Sequence, residues 1–591
     1  IKEVLSEEAN KKEAAFEKLK EMTLEKHNLE VLEKYWEPLS RQRKEVMKIL
    51  LSVVPDAWYE KNDLARWTLT EWLVAYGTVD ILSTYLGDLS NLKNIKMYDG
   101  RAVLHHAARL NTADMVDTVL KHSDAGEKAN YNWSCLVWHE AAQNEKHGAA
   151  ILARLWEDAD MRDRMKQVTP YSSTVLHIAA SLGTLDTVVF LLKHSEAELK
   201  KAKDKNGWTI WNCAAQNEKQ GAAILALLWK DADMRDCMKQ VNNDGNTVLH
   251  TAARYGTAEA VDFLLQRSDG ELKKAKIIAG GLVWHYAAMN EKQGAAILAR
   301  LWKDADMRAC MKEVDMRGHT VLDTAARDGT AEAVDFLLQH SDGELKKAKI
   351  IAGRLVWHYA ARNEKQGAAI LERLWEDAAM RSSMKKIDME GFTVLHTAAS
   401  WGTVEAVAFL LQHSDAELKK AKTKDDLTAW HHAAWNQRQG AAILALLLED
   451  ADMRDGIKEV DNDGWTVLHT AARGGTADMV AFLLQHCDAE LKKAKTSSNE
   501  TAFTLAQYNK KHGKKILELL NEDNKKSLSK VQSTQHKEVS NNQNSKIITD
   551  FFKPPSVPAQ VPTIENANNG LHSPNLLDQP VASTNQKSIN G

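Results

Sequence analysis

The sequence predicts an all-α solenoid, in which helix-turn-helix units stack in one row and a disordered C-terminal tail follows. Three observations predict it. One segment recurs every 73 residues: TVLHIAASLGT starts at Thr174, TVLHTAARYGT at Thr247, TVLDTAARDGT at Thr320, TVLHTAASWGT at Thr393 and TVLHTAARGGT at Thr466. A related series runs between them with the same period. It reads VWHEAAQNEKHGAAIL from Val137, IWNCAAQNEKQGAAIL from Ile210, VWHYAAMNEKQGAAIL from Val283, VWHYAARNEKQGAAIL from Val356 and AWHHAAWNQRQGAAIL from Ala429. Finally, the composition turns polar after Asn524, and six of the nine prolines lie beyond residue 553. A fixed period of this kind marks stacked supersecondary units. A polar, proline-bearing tract cannot bury enough apolar surface to fold alone.

The elements follow in order. Residues 1–60 are rich in Glu and Lys, with Phe16, Leu19, Met22, Leu29, Leu32 and Trp36 at helical spacing. They predict a helical N-terminal segment that caps the first unit. The solenoid is expected over 65–523 as about 13 units of roughly 35–38 residues, with degenerate units around Trp67–Leu86 and Thr501–Leu520. Ala252 and Ala253 would let neighbouring helices approach closely, and Val261, Phe263, Leu264 and Leu265 form an apolar stripe on the following helix. Gly256 is read as a left-handed helix cap. The NDG triplets at 243–245 and 462–464 suit tight turns between units. The polar runs AELKKAK (416–422) and DADMRDCMK (231–239) are placed at unit junctions.

The stretch DNDGWTVLHTAARGGTADMVAFLLQH (461–486) resembles the ankyrin repeat nearly throughout. Val467 stands where that repeat usually has proline, and the other copies of this series share the departure. The second series keeps the His-x-Ala-Ala core, with tryptophan before the histidine. The resemblance implies a curved solenoid that binds a protein partner through its concave face and turn tips, without a cofactor.

Composition narrows the function. The chain has a net charge of -4, 44% hydrophobic and 27% charged residues. That balance argues against direct nucleic-acid binding. The absence of a run of about 18 apolar residues argues against a membrane span. Five scattered cysteines without a CxxC pair argue against a disulfide framework and a zinc site, and fit a reducing intracellular compartment. The first residue is Ile1, so the chain is open to being a fragment. No phosphate-binding, nucleophile-elbow, metalloprotease, kinase or cysteine-protease signature occurs, so no enzyme activity, catalytic residue or metal site is expected.

Repetition sorts the remaining residues. The histidine slot (His105, His139, His177, His250, His285, His358, His396, His431 and His469) reads as backbone-binding between units, because Asn212 and Asp323 also occupy it. The tryptophan slot of Trp138, Trp211, Trp284, Trp357 and Trp430 reads as core, and so does the slot of Trp156, Trp229, Trp302 and Trp375. Partner contact is expected where copies differ: Trp401, and the turn-tip residues Trp208, Asn246, His319, Phe392 and Trp465.

The tail carries one further motif in SKIITDFFKPP (545–555). Ile548, Phe551 and Phe552 resemble the peptide box that docks on the PCNA sliding clamp, with Ser545 where that box usually has glutamine. A single 3₁₀ turn would gather Ile548, Phe551 and Phe552 into an apolar plug. The expected function is therefore a non-enzymatic adaptor, with one protein on the solenoid and the clamp on the tail. Two alternatives stand beside it: an effector that an intracellular bacterium delivers into a host cell, suggested by the near-identical blocks, and a passive spacer.

Overall fold

The computed structural model describes residues 73–526, apart from 76, 88, 95–102, 123–135 and 348–352. The expected N-terminal helical segment and the tail motif therefore lie outside the described residues.

Helices come in pairs. The TVLH series forms first helices such as Val175–Leu182, Val248–Tyr255, Val321–Asp328, Val394–Trp401 and Val467–Gly474. Each is followed by a second helix, for example Ala258–Leu265 and Val404–His413. The intervening series repeats the plan, with first helices such as Val283–Ala288 and second helices such as Gly294–Lys303. First helices pack on first helices and second helices on second helices along the row. No β-strand forms among the described residues, and a single bridge pairs Val460 with Thr466.

Local chemistry starts the first helices of the TVLH series where the sequence says it should. Thr247 precedes Val248–Tyr255, and its hydroxyl accepts from the His250 backbone N–H at 3.4 Å. His250 Nδ1 accepts from the Thr247 backbone N–H in return. This reciprocal cap satisfies donors that helical turns leave open and is worth about 1 kcal/mol. Val248, Leu249, Ala252, Ala253, Val261 and Leu264 are fully or almost fully buried.

Gly256 differs from the expectation. Its φ is -95° and its ψ is -159°, an extended conformation open to any residue, so it is not a left-handed cap. Close approach requires glycine here, because an added Cβ would collide with the carbonyl oxygen of Ala215 in the preceding unit. Gly329 and Gly402 meet Ala288 and Ala361 in the same way.

The two tryptophan slots part company. Trp138, Trp211, Trp284, Trp357 and Trp430 are fully buried core. Each indole N–H donates to a methionine carbonyl 23 residues later, as from Trp284 to Met307 at 2.7 Å. Replacing such a ring with alanine costs about 3–5 kcal/mol. Trp156, Trp229, Trp302 and Trp375 are only partly buried. An arginine covers each of them, as Arg308 covers Trp302 at 5.1 Å and Arg381 covers Trp375 at 5.0 Å. They seal the second-helix side of the core against water.

Two further ladders lock the units. Asn363 Nδ2 donates to the carbonyls of Ala326 (3.2 Å) and Gly329 (3.1 Å) in the preceding unit, while its Oδ1 accepts from the N–H groups of Lys365 and Gln366. Asn217, Asn290, Asn436 and Asn509 repeat the donor pair, and Asn111 gives it to Val74 and Gly77. At the junctions, Lys419 bonds Asp450 at 2.8 Å and Lys273 bonds Asp304 at 2.7 Å.

Candidate interaction surface

Five-residue turns precede the first helices. Asp388–Phe392 shows how one closes. The Gly391 N–H donates to the Asp388 carbonyl at 3.1 Å, and the Phe392 N–H to its carboxylate at 2.9 Å. The fourth residue takes positive φ: 81° at Gly391, 79° at Gly318 and 74° at Gly464. Glycine suits that conformation, and Ser172, Asp426 and Asn499 adopt it in three other turns. Backbone hydrogen bonds then join turn to turn, from Ile278 N to Asp244 O, Met316 N to Ala279 O and Lys424 N to Glu390 O. The result is a turn edge beside the first helices.

The structure moves the five expected tip residues inward. Trp208, Asn246, Phe392 and Trp465 are half-buried, and His319 is buried at 6% exposure. His319 sits between Asp315 (3.0 Å from Nδ1) and the Tyr359 hydroxyl of the next unit (3.1 Å from Nε2). Burial acts to raise the Asp315 carboxyl, but hydrogen bonds from His319 outweigh it and hold the group at about 2. Asn246 reaches the hydroxyl of Tyr286, and Phe392 packs on His432 with ring centroids 4.7 Å apart. Residues after the turn glycine thus pair with the fourth residue of the next first helix. His319 in particular is not at the surface, because this pairing draws it beneath Tyr359.

The exposed apolar tips lie elsewhere in the turns. Ile278 (71%), Met316 (72%), Met389 (59%) and Tyr171 (66%) project from the edge. The first-helix ends add Tyr255, Trp401, Trp435 and Tyr508, all exposed. Of these eight, Trp401 is singled out by the sequence, and Tyr171, Met316 and Met389 lie in turn stretches that differ between copies, at 169–173, 315–319 and 388–392. Copy-to-copy comparison of the second series would have found Trp435 and Tyr508, which replace Gln216, Met289 and Arg362 at that slot.

Most of the repeated histidines reach a backbone carbonyl further along the chain. His177, His285, His358 and His431 reach the carbonyls of Trp208, His319, Phe392 and Trp465 at 3.0–3.1 Å. Burial lowers their pKa, and His250 and His396 fall to about 4. Neutral rings donating to a neighbouring unit are structural ties. Asn212 keeps the cap with Thr209, and Asp323 keeps the cap with Thr320.

Stacked helix pairs, turns joined by backbone bonds and one exposed edge define a repeat scaffold. The family model for ankyrin repeats matches residues 138–236, 176–277, 357–455 and 440–530. The chain belongs to the ankyrin-repeat family. It is 24% identical over 375 residues to ankyrin repeat domain-containing protein SAT10 of Stachybotrys chartarum, covering 59% of this chain and 16% of that protein. It is also 24% identical over 410 residues to human transient receptor potential cation channel subfamily A member 1, covering 68% of this chain and 34% of the channel. Alpha-latrotoxin-Lh1a of Latrodectus hasselti is 32% identical over 152 residues, 26% of this chain and 11% of the toxin. The chain spans about a third or less of each relative. Proteins with such different names share the repeats, so the likeness carries the scaffold and its general role in binding proteins.

Proposed function

We propose that the chain is a non-enzymatic scaffold that holds a protein partner along its turn edge and first-helix ends. One observation carries this reading. Blocks 247–319 and 320–392 are nearly identical, yet their first helices differ at His250/Asp323, Tyr255/Asp328 and Met289/Arg362, and their turns at Gly281/Arg354, Arg317/Glu390 and His319/Phe392. The blocks differ at 14 positions in all; five of them lie on these helix ends and turns, the surface where Ile278, Met316 and Met389 are exposed, and the others lie in the core, on second helices and at the junctions. A passive spacer has no use for Met316 and Met389 in water, whereas an interface does. Proximity labelling with the full chain tests the reading. Changing Met316 and Met389 to Glu is expected to remove a defined set of labelled proteins, and changing Glu332 to Lys on a second helix is not. Equal labelling by all three chains rejects it.

We also propose that the tail binds the PCNA sliding clamp through Ile548, Phe551 and Phe552, aided by Ser545. The support is their spacing in a polar tract. A peptide spanning 541–558 is expected to bind purified clamp with Kd of about 1–100 μM. Changing both phenylalanines to Ala should abolish binding, and Ser545→Gln should tighten it. No competition with an established clamp-binding peptide rejects this contact. The free, buried thiols of Cys213, Cys237, Cys310 and Cys487 support an intracellular setting. The near-identical blocks also suit a bacterial effector, and the organism of origin separates the two.

A further inference from the structure

The blocks are so alike that a side chain breaking the pattern stands out, and such breaks gather at the C-terminal end of the first-helix row. Trp401 takes a slot that holds Leu182, Tyr255, Asp328 and Gly474 in other blocks. Trp435 lies over Gly474, where any Cβ would run into the indole. The missing side chain at 474 therefore makes room for the added one at 435. Trp401, Trp435 and Tyr508 are 39%, 49% and 60% exposed. Arg473 stacks on Tyr508 with its guanidinium carbon 4.6 Å from the ring centre.

The charge pattern breaks at the same place. A ladder of exposed ion pairs runs from block to block, joining Glu145 to Lys219, Glu218 to Lys292, Glu291 to Lys365 and Glu364 to Arg438. The next step would join residue 437 to Lys511, but residue 437 is glutamine. Its amide donates instead to the Gly474 carbonyl at 3.1 Å. Lys510 occupies the slot that glutamate holds in the earlier blocks. Arg473, Lys510 and Lys511 are exposed, and none forms an ion pair with a described residue. Tyr508, Lys510 and Lys511 belong to one short stretch, and Arg473 and Gly474 bring Trp435 to it.

We infer that this surface binds an extended acidic segment of a protein partner, carrying an aromatic or aliphatic anchor. The inference rests on the scaffold reading and names the partner's chemistry. A guanidinium stacked on a ring keeps its edge N–H groups for a carboxylate. Exposed indole and phenol rings supply area that gains from being covered. Uncompensated lysines steer an acidic partner in. From Trp401 to Tyr508 is three unit steps of about 8–10 Å, so about 24–30 Å in all. An extended segment of about 8–9 residues spans that distance. Three free cations on a chain of net charge -4 favour a peptide over a nucleic acid, whose phosphates call for a broader basic field.

A random twelve-residue phage-displayed peptide library, panned on the full chain, tests the inference. Selected peptides are expected to be acidic with an aromatic or aliphatic residue. Their affinity is expected to fall tenfold or more in the triple variant Arg473→Glu, Lys510→Glu, Lys511→Glu and in Trp435→Ala, and to weaken as salt rises. Circular dichroism and thermal melting should show both variants folded, since the changed side chains are exposed. Neutral or basic selected peptides, or no enrichment over the triple variant, overturn the inference. Peptides lost on changing Met316 and Met389 to Glu but kept by the triple variant also overturn it, while leaving the scaffold reading intact. Binding of a single-stranded oligothymidylate that the triple variant abolishes, without acidic peptides, assigns the surface to nucleic acid instead.

Discussion

His358 ties its unit to the next one through Phe392. Its Nδ1 accepts from the Leu355 N–H at 3.2 Å, so Nε2 carries the proton, and Nε2 donates to the Phe392 carbonyl at 3.0 Å. Both ends of the ring are spent on backbone. His358→Ala leaves the Phe392 carbonyl without this donor and the Leu355 N–H without this acceptor. The expected cost is about 1–3 kcal/mol. Hydrogen exchange should show faster amides across residues 355–401 and unchanged protection near residue 180, because contacts run between neighbours.

Acid should loosen the whole array. Burial pulls His139, His250 and His396 from 6.5 to about 4. These rings are neutral when folded and charge once exposed, so the unfolded chain binds more protons between those values. Their contribution is complete above pH 6.5 and is lost as pH falls toward 4. Each fully buried ring accounts for on the order of 1–3 kcal/mol. Urea midpoints at pH 7, 5.5 and 4.5 are expected to fall in that order, and a flat profile contradicts the burial.

Asp323 titrates with the opposite sign. Burial raises its carboxyl from 3.8 to about 6, against hydrogen bonds from the Thr320 N–H and hydroxyl. Its contribution is present at low pH and is lost as pH rises through that window, so at pH 7 the ionised group is a cost. Asp323→Asn keeps an acceptor for Thr320, as Asn212 does for Thr209 at 2.8 Å from the hydroxyl. The expected result is a gain of about 1–3 kcal/mol at pH 7 and almost none at pH 4. Loss of stability at pH 7 would show that the carboxylate does more than cap the helix.

Deleting residues 247–319 should leave a shorter folded array. The cut joins Asn246 to Thr320, which matches the junction it removes. Glu218, which now pairs with Lys292, would then face Lys365. Circular dichroism per residue should be unchanged, with a single cooperative melt. Collapse of the entire chain contradicts nearest-neighbour stability.

The 73-residue period and the His-x-Ala-Ala cores determined the helical solenoid without coordinates, because a repeated apolar stripe has only its neighbour to bury against. The same repetition correctly marked Trp284 as core and His358 as a backbone tie, since a slot filled alike in each block serves the stacking itself. Tertiary structure decided the rest. Gly256 is glycine because Ala215, 41 residues earlier in the chain, lies against it. Asn363 binds carbonyls 34 and 37 residues earlier, and no local pattern announces such a bond. His319 looked exposed because it follows a turn glycine, yet Tyr359 of the next unit covers it. Periodicity fixes which residues share a face of their own unit, while the stacking of units decides which of those faces still meets water.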